Sequence, residues 1–240
     1  MNFRDLLIAA ALCAFASLAW AQEEEQAADP LEGNIKLGYL ATTGNTDTSS
    51  LNTGFNAAYK INRWTHEARG LAINATEDDV TTAEAYEFGW KTGWDLTERD
   101  YLFGQLDWRK DRFGGFDTQF SQTVGYGRRI LGGPVHRLNA NIGAGARQSE
   151  DQLGVTQDET IVTGDVDYRW KFSDTAEFRQ VVRVEAGEDN TFSEAVSSIA
   201  ATLVGNLRLV ASYTYRNNSD VPLGSEETDT RTAISLEYGF

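Results

Sequence analysis

Long stretches of alternating apolar and polar residues constrain the fold of this chain more than any other feature. Apolar side chains recur at every second position in residues 51–61, 86–96, 162–172 and 207–215. Because successive side chains of a β-strand point to opposite faces, this period predicts strands with one apolar and one polar face. The alternation lasts about 10–14 residues, whereas strands of soluble proteins run about 5–6 and tilted bilayer-spanning strands need about 9–11. The pattern therefore predicts membrane-spanning strands.

Segments of this kind repeat along the whole chain. About twelve can be delimited, an even number that is typical of strands running up and down around a closed barrel. The sequence thus predicts an all-β fold, a transmembrane antiparallel up-and-down β-barrel of about 12 strands. Short connections are predicted near residues 62–63, 97–100, 132–134, 173–175 and 205–206. Longer and more acidic connections are predicted at residues 44–47, 77–81, 114–117, 148–159, 188–194 and 217–229.

The first residues have the pattern of a bacterial export signal. A charged start is followed by an apolar run at residues 6–18, which is too short to span a bilayer as a mature helix. Ala19 and Ala21 supply the small residues that signal peptidase reads. Cleavage there removes Cys13, the only cysteine, so we expect no disulfide in the mature chain. The chain then divides into a signal peptide at residues 1–21, a flexible acidic leader at 22–32 and an outer-membrane barrel at 33–240.

Composition leaves two classes of β-protein open. The formal net charge of −15 argues against nucleic acid as a partner, because phosphate would be repelled. The mean hydropathy of −0.42 is typical of a soluble protein, but membrane barrels also have low values because only every second strand residue faces lipid. The alternative to a membrane barrel is therefore a secreted or periplasmic β-rich binding protein.

The last strand has a distinctive end. Leu236, Tyr238 and Phe240 alternate with polar or small residues, and the chain stops at the aromatic Phe240. A terminal aromatic residue on an alternating strand resembles the signal that the barrel-assembly machinery reads on outer-membrane proteins. Further aromatic residues near strand ends or on apolar rows predict the interfacial girdles of a membrane barrel. They are Trp64, Trp90, Trp94, Trp108, Trp170, Phe172, Tyr213 and Tyr215.

No arrangement of residues points to catalysis. The two histidines, His66 and His136, are far apart in the sequence, and neither has a second histidine nearby to form a metal site. We therefore expect no enzyme activity, no metal and no cofactor. The acidic loops could lie among the cation-bridged headgroups of lipopolysaccharide, but they lack the spacing of a known calcium loop. The expected partners are outer-membrane lipid, lipopolysaccharide and the barrel-assembly machinery, while the oligomeric state stays open.

Charged residues on the polar faces predict a charged barrel interior. Both signs are mixed, so two interpretations remain: a water-filled passage that selects ions or small solutes, or a ladder of ion pairs that blocks the bore. Glycines that face the interior leave room for a water-filled passage. The candidate interior residues are Lys91, Asp107, Arg109, Asp165, Asp167, Arg169, Lys171, Arg179, Arg183, Arg208, Arg216, Arg231 and Glu237.

Three motifs are similar to those of a known family. They are the turn Thr42-Thr43-Gly44-Asn45-Thr46-Asp47-Thr48-Ser49, the Gly125-Tyr126-Gly127 stretch and the closing residues 236–240. In these the chain resembles the YdiY-like family, described as salt-induced outer-membrane proteins and long treated as a domain of unknown function. The resemblance covers residues 33–240. It implies an outer-membrane barrel with a link to ionic stress, as a narrow pore or a closed structural barrel, and it brings no catalytic residues.

Overall fold

The chain forms a closed barrel of twelve antiparallel strands, which confirms the predicted fold class. The computed structural model describes residues 30–42, 48–222 and 225–240. The strands are β1 Leu31–Thr42, β2 Thr48–Ile61, β3 Trp64–Glu77, β4 Val80–Asp95, β5 Asp100–Asp111, β6 Phe116–Gly132, β7 His136–Asp151, β8 Thr156–Lys171, β9 Ala176–Ala186, β10 Thr191–Val204, β11 Leu207–Asn218 and β12 Thr228–Gly239. Among the described residues, no helix has the length and apolar character needed to cross a membrane.

Each strand pairs with its neighbours in the sequence, and β12 pairs back onto β1 to close the ring. Along this seam Asn34 is aligned with Gly239 and Leu37 with Leu236. Gly33 and Phe240 exchange two backbone hydrogen bonds of 2.9 Å. Such closure satisfies backbone groups that edge strands would leave unpaired. We call the end of the barrel where β1 begins and β12 ends the terminal end, and the opposite end the loop end.

The outer surface of the barrel is an apolar belt. On β4 the outward Tyr86, Phe88, Trp90 and Trp94 are 38–45% exposed, and on β12 Ile234 is 65% exposed. The aromatic residues predicted to form girdles are all exposed as well. Soluble monomers rarely present a contiguous apolar surface of this extent, whereas the hydrocarbon of a bilayer accepts it without an unfavourable hydration term. The outer face is therefore suited to contact lipid.

The connections at the loop end are shorter than predicted. Residues 152–155 alone join β7 to β8, where a loop over 148–159 was expected, and Asp78 and Asp79 alone join β3 to β4. The prediction was wrong because strand residues such as Ser149 and Glu159 are polar and buried in the interior. Polar residues that alternate between two faces of a strand have the composition of a loop. The longest loop-end connection is residues 219–227, between β11 and β12.

The start of the barrel lies two residues before the predicted one. Strand β1 begins at Leu31, which is paired with Tyr59 of β2, whereas the barrel was expected to begin at residue 33. The predicted signal peptide, with Ala19 and Ala21, and residues 22–29 of the predicted leader lie outside the described residues.

Candidate functional site

Charged side chains line the interior face of the barrel. The strand register gives every candidate interior residue the orientation of this face, because each is aligned with interior positions on adjacent strands. Lys171 is the most peripheral, since it lies at the last position of β8 and is exposed. The residues so placed are Lys91, Asp107, Arg109, Asp165, Asp167, Arg169, Lys171, Arg179, Arg183, Arg208, Arg216, Arg231 and Glu237.

Two ion pairs cross the bore near the middle of the barrel. Arg183 on β9 contacts Asp107 on β5 at 2.6 Å, and Arg216 on β11 contacts Glu87 on β4 at 2.7 Å. The first two strands are four positions apart around the ring, and the second two are five apart. These contacts therefore join opposite walls rather than adjacent strands. The bore is bridged at mid-height.

Further carboxylates and cations extend these bridges into a network of alternating charge. Asp107 also accepts a hydrogen bond from Arg69 at 2.6 Å, and Arg216 donates to Glu194 at 2.6 Å. Arg183 additionally forms an ion pair with Glu185. Each bridging arginine thus has two carboxylate partners. This arrangement compensates the loss of hydration that a buried charge suffers.

The interior between the bridges and the loop end is filled. Arg147 is 1% exposed, with Glu159 at 3.0 Å and Glu185 at 3.5 Å. Across the bore, the guanidinium of Arg109 on β5 lies 4.5 Å from the ring centre of Phe192 on β10, a cation–π contact. The void beside the bridges measures about 30 Å³, enough for one or two water molecules. In the described part of the chain, these side chains occupy the bore on this side of the bridges.

The half toward the terminal end contains a large cavity, which we call the vestibule. Its volume is about 720 Å³, within the range of cavities that hold small molecules. Gly33, Asn206 and Phe240 border it near the chain ends, and Asp107 and Arg183 border it at mid-height. The interior is therefore wide toward the terminal end and closed by the ion-pair network, rather than of even width along the barrel.

Most charges of the vestibule are paired with a neighbour. Arg179 donates two hydrogen bonds to Asp167, at 3.0 and 2.9 Å. Arg208 lies between Glu177 and Glu237, at 3.3 and 3.4 Å. Paired charges leave little net field in the cavity, so this wall favours hydration and small polar solutes over a strong preference for one sign of charge.

Lys91 differs from the other cations of the vestibule. Within the described part of the chain no carboxylate lies within 4.0 Å of its ammonium group, which is 4.5 Å from the ring centre of Phe103. Nearby, the hydroxyl of Tyr101 donates to Asn141 at 2.6 Å, and the amide of Asn141 donates to Asp165 at 2.6 Å. These polar groups provide donors and acceptors but no pairing of a nucleophile with a base.

Several network residues were missed by the sequence reasoning. Glu159 was assigned to the loop over residues 148–159, and Arg147, just before that loop, was not among the candidates, although the period of two continues through both and could have placed them inside. The faces of β3 were ambiguous, which concealed Arg69. No feature of the sequence distinguishes Glu87 and Glu194, which belong to the network, from carboxylates that face water.

The remaining predicted site residues lie on the outer face. Leu236, Tyr238 and Phe240 are each 46% exposed, in a row along β12. His66 and His136 are hydrogen-bonded to hydroxyls in the aromatic girdle, outside the bore. Across the described ranges, no group of three His, Cys, Asp or Glu residues is placed to hold a metal ion.

The relatives of this chain bear on its family. The family described as "Protein of unknown function, DUF481" matches residues 35–240, nearly all of the barrel. The chain belongs to the DUF481 family. Within it, a curated Escherichia coli (strain K12) protein, the uncharacterized protein YdiY, is 35% identical over 213 residues, which is 88% of this chain and 84% of YdiY. The resemblance seen in the three sequence motifs is thus confirmed.

Solved structures bear on the fold of this DUF481 member. An outer-membrane channel from Pseudomonas putida F1 superimposes with a TM-score of 0.52 at 9% identity, covering 91% of this chain and all 100% of the channel. The NanC porin gives a TM-score of 0.48 at 10% identity, covering 86% of this chain and 97% of the porin. At 9% identity the likeness to the channel concerns architecture alone, a closed antiparallel β-barrel.

Proposed function

We propose that this DUF481 protein is a non-enzymatic barrel of the bacterial outer membrane whose bore is closed at rest. The observation that carries the proposal is the pair of ion pairs that cross the bore, Arg183–Asp107 and Arg216–Glu87. Because ions and their hydration shells need a continuous aqueous path, a bore bridged by side chains does not conduct. The vestibule then opens only toward the terminal end, which is the periplasmic side when both chain ends face the periplasm.

The outer surface supports the proposed location. The apolar belt of exposed side chains would contact acyl chains, and the aromatic residues at its borders would lie at the level of the headgroups. A secreted or periplasmic binding protein would have to expose this belt to water. The partners we propose are outer-membrane lipid, lipopolysaccharide and the barrel-assembly machinery, the last through the exposed row of Leu236, Tyr238 and Phe240.

The proposal includes no catalysis because, among the described residues, neither histidine is hydrogen-bonded to a carboxylate or a serine. The hydroxyl partner of His66 is Thr92, and that of His136 is Tyr168. Neither hydroxyl is backed by a second general base in hydrogen-bond reach. Hydrolysis of lipid or peptide that is lost in a His66→Ala or His136→Ala variant would overturn this part of the proposal.

A second candidate function is a gated passage for small polar solutes. The vestibule favours it, since a purely structural barrel has no need of a cavity of about 720 Å³. In this case the ion-pair network is a gate rather than a permanent seal. Both candidates predict the same resting state, and they differ in whether a stimulus opens the bore.

Solute flux into vesicles tests the resting state. In liposomes that contain the refolded mature protein, small ions and sugars are expected to enter at the same rate as in protein-free liposomes. Correct folding is checked in the same samples by electrophoresis, since a closed barrel migrates faster unheated and shifts on boiling. Rapid flux through correctly folded wild-type protein would contradict the proposal.

We also propose a role in ionic stress, which rests on the family resemblance. The bridging ion pairs are not suited to sense salt themselves, because buried pairs are screened far less than exposed ones. A deletion strain is expected to grow more slowly than its parent at high salt and equally well at low salt. Equal growth in both media would remove this part of the proposal.

A further inference from the structure

The two histidines of the chain occupy the same kind of place on the outer surface. His66 is the third residue of β3 and His136 the first of β7, so each follows a turn at the terminal end. The ring of His66 lies 6.2 Å from Trp64 and 6.0 Å from Trp90, and that of His136 lies 6.1 Å from Tyr168 and 6.2 Å from Trp170. Each histidine is thus held between two aromatic rings of the girdle.

In both histidines Nδ1 is the ring nitrogen that contacts a hydroxyl group. Nδ1 of His66 is 3.1 Å from the hydroxyl of Thr92 on β4, and Nδ1 of His136 is 3.0 Å from the hydroxyl of Tyr168 on β8. The partner lies on the next strand in both cases. This repeated geometry fixes the plane of each ring and leaves Nε2 without a hydrogen-bond partner among the described residues.

The hydrogen bonds around His66 are compatible with a proton on Nε2. The indole nitrogen of Trp90 donates to the hydroxyl of Thr92 at 3.0 Å, and an indole nitrogen can only donate. The hydroxyl therefore accepts from Trp90 and has its own proton available for Nδ1 of His66. A neutral imidazole that accepts at Nδ1 carries its proton on Nε2.

The contact of His136 is compatible with the same tautomer. A phenol is a good donor, and the Tyr168 hydroxyl, which has no other hydrogen-bond partner in the described ranges, can direct its proton at Nδ1 of His136. Nε2 of His136 then carries the ring proton. Two N–H donors, each flanked by amphipathic rings, are left at the border of the apolar belt.

We propose that His66 and His136 are two binding sites for phospholipid headgroups, in which each Nε2–H donates to a phosphate oxygen. The inference rests on the proposed membrane location. A phosphodiester supplies acceptor oxygens without donors, which complements an N–H group. The flanking Trp64 and Trp170 are 46% and 43% exposed, and such rings at the headgroup level hold the glycerol and acyl regions of the same lipid. Free phosphate lacks that second contact, so the site is for lipid.

Nuclear magnetic resonance of two labelled residues tests the proposal. The mature protein with ¹⁵N-histidine is placed in nanodiscs of phosphatidylethanolamine, and the two signals are assigned with His66→Phe and His136→Phe. We expect a proton on Nε2 of both rings, and transfer of magnetisation from both to lipid ³¹P. An Nε2 that carries no proton, or no transfer to ³¹P from either ring, would overturn the proposal.

Matched variants and a phosphate-free medium separate the alternatives. Thr92→Val is expected to change the tautomer of His66 alone and Tyr168→Phe that of His136 alone, so each site serves as the control for the other. In octyl glucoside micelles the ³¹P transfer should vanish and should not return with added inorganic phosphate. If inorganic phosphate restores it, the sites bind free phosphate and the lipid assignment is wrong. An open bore would appear in the liposome flux and leave these signals unchanged, so the two proposals fail separately.

Discussion

At the scale of single residues, the buried charges of Arg147 and Glu159 compensate each other. The side chains of Arg147 and Glu159 are each 1% exposed, and Arg147 also faces Glu185. Removal of one member of a buried ion pair leaves an uncompensated charge, which costs about 3–5 kcal/mol. The side chain of Arg112 is 63% exposed beside Glu84, and pairs of that kind contribute about 0–1 kcal/mol.

Replacement of these two arginines therefore has unequal effects. Arg147→Met should lower the free energy of unfolding by about 3–5 kcal/mol, and the matched Arg112→Met by less than about 1 kcal/mol. Urea unfolding in lipid vesicles, followed by tryptophan fluorescence, measures both. Losses of equal size would show that the interior charge is hydrated and that the loop-end half is not closed.

Two strand glycines, Gly145 on the interior wall and Gly104 on the outer wall, give a second contrast between single residues. A Cβ on Gly145 would lie 1.9 Å from the backbone oxygen of Gln122 on the adjacent strand, whereas a Cβ on Gly104 would meet nothing within 4 Å. Gly145→Ala forces the two strands apart, and overpacking of this kind costs about 1–3 kcal/mol. Gly104→Ala should change stability by less than about 0.5 kcal/mol. The same unfolding measurement distinguishes them, and tolerance of Gly145→Ala would contradict the close approach of β6 and β7.

Which residues face inward could be predicted from the sequence, but their partners could not. A period of two fixes the face of a strand, and it was sufficient to select Asp107, Arg183 and Arg216 before the fold was known. Contacts across the bore depend on strand tilt and register around the whole ring. Arg183 and Asp107 are separated by 76 residues, and no local pattern relates them.

At the scale of the strands and their turns, the tightest connections depend on unusual backbone angles. Asp78 and Asp79, which join β3 to β4, have φ values of 47° and 62°. Two-residue hairpin turns with positive φ at both positions are favoured because their twist matches that of the strands. Aspartate tolerates this region better than most residues with a Cβ, and glycine tolerates it best.

Glycine and valine at position 79 are therefore expected to have opposite effects on the stability of the barrel. Asp79→Gly is expected to raise the free energy of unfolding by up to about 1 kcal/mol, and Asp79→Val to lower it by about 1–2 kcal/mol. Thermal unfolding in detergent, read by the electrophoretic shift, compares the two with the wild type. A stabilising valine would mean that the turn does not have this conformation.

The strands were more predictable than their connections. The number of strands and most turn positions at the terminal end followed from alternation and from turn residues such as Asn62, whose φ is 54°. The loop over residues 148–159 was wrongly predicted because a strand whose inner face is polar loses its contrast with a loop. The same error concealed Glu159, which lay inside the predicted loop.

At the scale of the whole molecule, closure of the ring creates the properties that matter most for function. It brings β4 and β5 opposite β9, β10 and β11, so that long arginine side chains reach the far wall. It also leaves the vestibule at the terminal end, where the inward side chains pair with their neighbours instead. The sequence allowed both a passage and a blocked bore, because composition is the same for either and only the geometry differs.

Single-channel conductance in planar bilayers tests the closed bore most directly. The wild-type barrel is expected to give no conductance steps. A variant in which Arg109, Arg147, Arg183 and Arg216 are replaced by alanine, which removes both bridges and the arginines that fill the loop-end half, is expected to give them. The exchange variant Asp107→Arg/Arg183→Asp, which restores opposite charges at these two positions, should be silent or nearly so. Arg112→Ala is the control for loss of an arginine outside the bore. Steps from correctly folded wild-type protein, or silence of the variant that lacks both bridges, would contradict the account.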